Sequence, residues 1–237
     1  MNLAIDIGNT RSKIGVFDNA TMVYSEVIEG ELGGRISQLL SDYQIDRTIV
    51  SSVTGAGQSV VETIPDSLML SAETRLPFEI KYLTPETLGK DRLAAVAGAH
   101  RAFPNLNVLI IDAGTCVTYD FLSHQGVYCG GNIAPGLQMR LRSMSEYTAR
   151  LPLVERRHLD HVMGLTTEEA LQNGAEKGLL LEIEGYKSRL EEEYGEIEVV
   201  ITGGDSVYLA EKVKTKIFVR PDLVLQGLNE ILRYNVV

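Results

Sequence analysis

Residues 2–18 read Asn-Leu-Ala-Ile-Asp-Ile-Gly-Asn-Thr-Arg-Ser-Lys-Ile-Gly-Val-Phe-Asp, and residues 107–122 read Asn-Val-Leu-Ile-Ile-Asp-Ala-Gly-Thr-Cys-Val-Thr-Tyr-Asp-Phe-Leu. Each is a short apolar run ending in Asp-x-Gly, then a tight polar turn, then a run that alternates polar and apolar residues. The apolar run reads as a buried strand and the alternating run as its hairpin partner. Asp6 and Asp112 stand about half a chain apart. The pattern therefore predicts two similar α/β halves, 1–106 and 107–237, related by duplication.

Outward from these units, residues 22–28 add a third antiparallel strand. Residues 31–43 place Leu32, Ile36, Leu39, Leu40 and Tyr43 at helical spacing. Residues 48–53 are β-rich, and the stretch that follows is looser. Residues 91–103 read as a helix closed by Pro104. In the second half, helices are predicted over 137–150, 167–194, 206–213 and 223–234, with a strand over 197–202. Strands alternating with helices define the α/β class.

Composition narrows the function. The chain has 44% hydrophobic and 23% charged residues, as a globular protein does, which excludes disordered and collagen-like chains. A net charge of −10 argues against nucleic acid as a partner, because a phosphate-backbone binder needs a basic surface. Cys116 and Cys129 lack C-x-x-C spacing and read as small buried residues in a reducing compartment. No stretch approaches the roughly 18 apolar residues of a membrane helix, and the N-terminal residues carry no basic leader. No membrane partner and a cytoplasmic location are the expectations.

Four segments carry chemistry. Residues 6–13 (Asp6, Ile7, Gly8, Asn9, Thr10, Arg11, Ser12, Lys13) hold the parts of a phosphate loop. Gly8 admits an anion close to the backbone, Thr10 and Ser12 supply hydroxyls, and Lys13 supplies charge. Asp6 is suited to Mg²⁺ or its waters between phosphates. The same residues also suit a plain hairpin turn, but their repetition at Asp112, Gly114 and Thr115 favours the phosphate reading. Gly203-Gly204-Asp205-Ser206 follows a strand and suits close approach of a nucleoside, or a simple strand-to-helix turn. Gly130–Gly136 reads as a glycine-rich loop entering a helix, able to present N–H groups to an anion or to serve as a connection.

Gly89-Lys90-Asp91-Arg92 opens the helix over 91–103. An acid there serves as a cap, or as the group that orients a substrate hydroxyl while Arg92 pairs an anionic substrate. Other patterns lead nowhere. There is no G-x-x-x-x-G-K-[ST] and no G-x-S-x-G. Gly55-Ala56-Gly57 is similar to the anion loop of ribokinase-like enzymes, but Gln58 stands where an acidic base is expected. His158 and His161 lack further metal ligands and read as solvated or capping residues.

The paired Asp-x-Gly-Thr units resemble the acetate and sugar kinase/Hsp70/actin superfamily. Five motifs in order narrow the resemblance to the type III pantothenate kinases: Asp6-x-Gly8-Asn9-Thr10, Gly89-x-Asp91-Arg92, Asp112-x-Gly114-Thr115, Gly130-Gly131-x-Ile133-x-Pro135-Gly136 and Thr202-Gly203-Gly204-Asp205. They span nearly the whole chain. Cys116 and Lys90 depart mildly from the family pattern. The resemblance implies two ribonuclease H-like (actin-like ATPase) domains with an ATP cleft between them, and phosphorylation of pantothenate at the start of coenzyme A synthesis. It implies that residues 6–13 and Thr115 bind ATP and that Asp112 binds a monovalent cation, potassium or ammonium. It implies Asp91 as catalytic base, with Tyr82, Gly89, Lys90, Arg92 and Thr167 contacting pantothenate, Thr167 from the other subunit of a homodimer. Another kinase of the superfamily, or a regulator that keeps the fold, are the competing readings.

Overall fold

The apolar run at the start of the chain forms β1 (Asn2–Ile7), and the alternating run forms β2 (Ser12–Asp18), followed by β3 (Thr21–Ile28). They are seen in a computed structural model that describes residues 1–8, 11–52, 60–61, 64 and 66–236. Next come α1 (Gly33–Asp42), β4 (Arg47–Ser52), β5 (Ser67–Met69), β6 (Glu79–Ile80), a 3₁₀ turn at Pro85–Thr87 and α2 (Lys90–Ala102). The second half carries β7 (Val108–Ala113), β8 (Cys116–Leu122), β9 (Val127–Pro135), α3 (Leu137–Glu146), α4 (Thr167–Tyr194), β10 (Glu198–Thr202), α5 (Ser206–Ala210), β11 (Phe218–Val219) and α6 (Leu223–Asn235). The chain divides into one compact unit of residues 1–105, 122–130 and 222–237, and another of 106–121 and 131–221.

In the first unit the described strands run in the order β3-β2-β1-β4-β5, with β1 antiparallel to β2 and parallel to β4. Alternation sorts the faces of β1. Leu3, Ile5 and Ile7 pack with Ile14, Val16, Ile36, Leu39 and Val50 in a core where each is at most 4% exposed. Burying each such side chain is worth about 1.5–3 kcal/mol, which is what holds α1 on this face. Asn2, Ala4 and Asp6 point to the opposite face, where α6 packs. There Asn229, itself buried, accepts from Asn2 Nδ2 at 2.9 Å and donates to the Asn19 carbonyl at 2.8 Å. Glycine sets the depth of packing between α2 and α6. A Cβ on Gly227 would lie 1.7 Å from the Ala94 carbonyl oxygen, and one on Gly98 2.4 Å from that of Leu223. In the same unit β6 runs parallel to the start of β9, pairing Glu79 with Val127 and Ile80 with Tyr128.

In the second unit the described order is β11-β10-β7-β8-β9, with β7 parallel to β10 and β10 parallel to β11. Val108–Ile111 are at most 1% exposed, as a strand covered on both faces must be. The bounds of α4 agree with the sequence. Thr166 caps its start by accepting from the Glu169 N–H, and Gly195 ends it at φ 81°. Leu171, Ala175, Leu179 and Ile183 recur every fourth residue along its buried face.

Three expectations need correction. Residues 130–135 are not a loop: they complete β9, and only Gly136 stands between that strand and α3. The α3 helix ends at Glu146, short of 150, and α5 at Ala210, short of 213. Cys116 is exposed and Cys129 half-buried, so neither is a core residue.

Candidate active site

The turn after β1 is closed by the Gly8 N–H, which donates to the Arg11 carbonyl at 3.1 Å. A Cβ on Gly8 would lie 2.8 Å from that same oxygen, so the turn accepts no larger residue without shifting. Asp6 and Lys13 face each other in the β1–β2 register, both half-buried, and Ser51 of β4 lies on the other side of Asp6. Ser12 is buried. Ile7 is a core residue, so it offers the site only its backbone. Arg11 is exposed and pairs with Glu29 at 2.9 Å. Asn9 and Thr10, and the Gly55–Gln58 segment, lie outside the described residues.

The second unit has a shorter turn at the corresponding place in its sequence repeat. The Gly114 N–H donates to the Cys116 carbonyl at 2.9 Å, and Thr115 is exposed at its tip. Asp112, half-buried, is the next-to-last residue of β7 and pairs with Thr202 of β10. Gly203, at φ 92°, meets it closely: a Cβ there would lie 2.5 Å from Asp112 Oδ1 and 2.4 Å from the Ala113 carbonyl. Both the backbone angle and the space require glycine. Gly136 closes the other side, donating to the Thr115 carbonyl at 3.1 Å, and a Cβ on it would lie 2.2 Å from the Gly114 carbonyl. Asp205 donates its N–H to the Ala113 carbonyl at 3.0 Å, and its carboxylate pairs with Arg156 at 2.7 Å. Three sequence motifs thus meet at the carboxyl ends of β7 and β10, where open α/β sheets place ligands.

In the first unit the residues around Asp91 form a second cluster. Asp91 and Arg92 lie in the first turn of α2, and Gly89 precedes it. Asp91 Oδ1 accepts from the Arg92 N–H at 2.8 Å. A Cβ on Gly89 would lie 2.5 Å from that oxygen. Lys90 is half-buried beside them. Arg92 is 5% exposed, and its Nη2 donates to Tyr128 Oη at 2.9 Å. Tyr82 stacks on Tyr128, ring centroids 6.1 Å apart at 21°, and the Arg92 Cζ lies 5.8 Å from the Tyr82 ring centre. Tyr128 was not a sequence-derived candidate. Its contacts come from the β6–β9 pairing, and no local pattern marks it.

Thr167 stands exposed at the first position of α4. Glu169 anchors this end: its carboxylate accepts the Leu165 N–H at 2.8 Å and lies 3.2 Å from His161 Nε2. The Leu165 N–H, and secondarily His161, hold the Glu169 carboxyl below its ordinary pKa. His158 is more than a solvated residue, because its Nδ1 lies 2.5 Å from Glu176, which is 2% exposed. No group of three or more metal-ligating side chains occurs among the described residues.

The fold is the first level of identity. A Baf family protein from Campylobacter jejuni superposes with a TM-score of 0.66 at 22% identity, over 98% of each chain. The activator of the 2-hydroxyisocaproyl-CoA dehydratase from Clostridium difficile, solved with bound ADPNP, gives 0.56 at 16% identity over 99% of this chain and 93% of that one. A ROK family protein from Streptococcus pneumoniae in complex with sucrose gives 0.53 at 12% identity over 98% of each. These likenesses define the class, the actin-like ATPase and sugar-kinase fold. Sequence then narrows it. The model of the type III pantothenate kinases matches residues 2–189. A type III pantothenate kinase from Bacteroides fragilis is 42% identical over 99% of this chain and 98% of its own, and one from Cytophaga hutchinsonii is 37% identical over the full length of both. The chain belongs to the type III pantothenate kinase family.

Proposed function

We propose that this protein transfers the γ-phosphoryl group of ATP to the terminal hydroxyl of pantothenate, yielding 4'-phosphopantothenate, the first step of coenzyme A synthesis. Beyond family membership, the observation that carries the reading is the pairing at the start of α2. Consecutive residues offer a carboxylate, Asp91, and a buried cation, Arg92. Pantothenate brings the complementary groups, a hydroxyl to be deprotonated and a carboxylate to be held.

In this reading Asp91 accepts the hydroxyl proton as the oxygen attacks phosphorus, and Arg92, with Tyr82, Gly89 and Lys90, holds the substrate. Residues 6–13 bind ATP phosphate, Ile7 through its backbone alone, and Thr115 is the ATP contact from the second unit's turn. Asp6 would hold Mg²⁺ or its waters, which would neutralise phosphate charge. Phosphoryl transfer needs positioning and charge stabilisation more than covalent chemistry, so these groups suffice. Asp112 is the residue for potassium or ammonium. Its carboxylate, half-buried near the carboxyl end of β7, supplies the oxygen donors that suit such a cation.

The working enzyme is a homodimer in which Thr167 reaches the partner's substrate site. In support, Leu153, Val162, Met163 and Leu165, on the segment leading to Thr167, are 63–84% exposed. Large apolar side chains left this exposed along one segment favour cover by a partner. We place the enzyme in the cytoplasm; no helix among the described residues is long and apolar enough to cross a membrane.

The test is a coupled ADP-release assay with pantothenate, acetate, glycerol and hexoses in turn, each in potassium and in sodium buffer. Turnover confined to pantothenate is the expected result, and potassium or ammonium should be required. Turnover of a hexose or acetate in place of pantothenate rejects the substrate. Equal rates in sodium reject the role of Asp112.

A further inference from the structure

We infer that Tyr128 is a positioning residue for substrate binding: it fixes the guanidinium of Arg92 and the ring of Tyr82 in the orientation that receives the pantothenate carboxylate. The inference rests on the reading of Arg92 as the receptor of that carboxylate.

Three separate contacts converge on Tyr128, which is fully buried. Its hydroxyl oxygen accepts from Arg92 Nη2 at 2.9 Å. Its ring stacks on Tyr82 with 21° between the planes. Its carbonyl accepts the N–H of Lys81, the residue before Tyr82, at 3.0 Å. One residue of β9 therefore ties together a loop residue and a helix residue that both face substrate in the proposed site.

The geometry matters because a guanidinium is planar and delivers its N–H donors in a fixed fork. A hydrogen bond at one Nη sets the rotation of that plane about the side chain. The Tyr82 ring, 5.8 Å from Cζ, restrains the same group from its face. A carboxylate is recognised well only when the fork is aimed at it, and a cation sheltered from water attracts an anion more strongly than an exposed one. A free arginine would lose side-chain entropy on binding, whereas one held this way has already lost it. Because the carboxylate is distant from the reacting hydroxyl, such alignment strengthens ground state and transition state alike. It belongs in KM and not in kcat.

The experiment is a double-mutant cycle of Tyr128→Phe and Arg92→Gln, with kcat and both KM values measured by the coupled assay. Tyr128→Phe keeps the ring and its stacking but removes the hydroxyl. It should raise the pantothenate KM about tenfold, the scale of a hydrogen bond to a charged group, with kcat within about twofold and the ATP KM unchanged. Arg92→Gln should raise the pantothenate KM about a hundredfold. Adding Tyr128→Phe to Arg92→Gln should cost nothing more, since Tyr128 acts through Arg92. Arg92→Lys, which keeps the charge without the fork, serves as the second background if Arg92→Gln does not fold. An unchanged pantothenate KM in Tyr128→Phe, or a tenfold effect that persists in either Arg92 background, overturns the positioning role. A pantothenate KM that neither Arg92 variant alters removes instead the reading of Arg92 on which the inference rests.

Discussion

Replacing Asp91 by Asn separates a catalytic base from a helix cap, and the structure supplies the size of each effect. Asp91 sits in the first turn of α2 and accepts the Arg92 N–H at 2.8 Å. Asn retains an oxygen for that N–H and loses only the attraction between a negative charge and the helix N-terminus, worth about 0.3–1 kcal/mol. Set against a folding stability of about 5–15 kcal/mol, this leaves well under about 1% of chains unfolded. The melting temperature should fall by no more than about 2–4 °C, the shift that goes with about 1 kcal/mol at this size. A cap alone therefore predicts near-normal turnover. A general base predicts a loss of about 10²–10⁴ in kcat, or roughly 3–5 kcal/mol of barrier, because Asn cannot take the proton. Turnover at saturating ATP and pantothenate, measured beside a thermal melt and the ATP KM, distinguishes the two. The expected result is a kcat at least about a hundredfold lower with the melt and ATP KM nearly unchanged. Gly89→Ala supplies the companion result. Its Cβ would stand 2.5 Å from Asp91 Oδ1, so the carboxylate must turn away with its charge intact, and kcat should fall again. An Asp91→Asn enzyme within about fivefold of the parent refutes catalysis by this residue.

Other expectations concern the frame around the site. Gly227→Ala drives a Cβ to 1.7 Å from the Ala94 carbonyl and should destabilise by about 1–3 kcal/mol or more, whereas Gly174→Ala in α4, with nothing within 4 Å, should be neutral or stabilising; thermal melts of the two variants check this. Glu169 binds its proton less tightly folded than unfolded, so its contribution is present above the ordinary value of 4.5 and lost as pH falls through the lower folded value; Glu169→Gln should flatten the fall in melting temperature below about pH 4.5, and an identical acid profile would contradict the anchoring of α4 through the Leu165 N–H. Light scattering at assay concentration should give a mass near twice 26.1 kDa, and a fully active monomer would exclude any role of Thr167 across an interface.

What the sequence determined by itself is local. The runs through Asp6 and Asp112 specify strands and turns because apolar continuity, alternation and glycine act over a few residues, and β1, β2, β7 and β8 form where those signals lie. The α4 helix, read from the sequence as 167–194, forms over those residues, and the structure shows Thr166 capping its start and Gly195 ending it. Tertiary structure decided what no window of that length contains. Gly130 and Gly131 favour a loop when judged alone, yet pairing within the sheet holds them in β9, since a ladder of hydrogen bonds outweighs a propensity of under about 1 kcal/mol per residue. The need for glycine at 98 and 227 arises only where α2 meets α6. Tyr128 becomes part of the site through strand pairing with β6 and a hydrogen bond to a residue 36 positions earlier. Propensity and periodicity are properties of neighbouring residues along the chain. A partner, a burial or an aimed charge depends on which distant segments pack together, and that is settled only when the whole chain has folded.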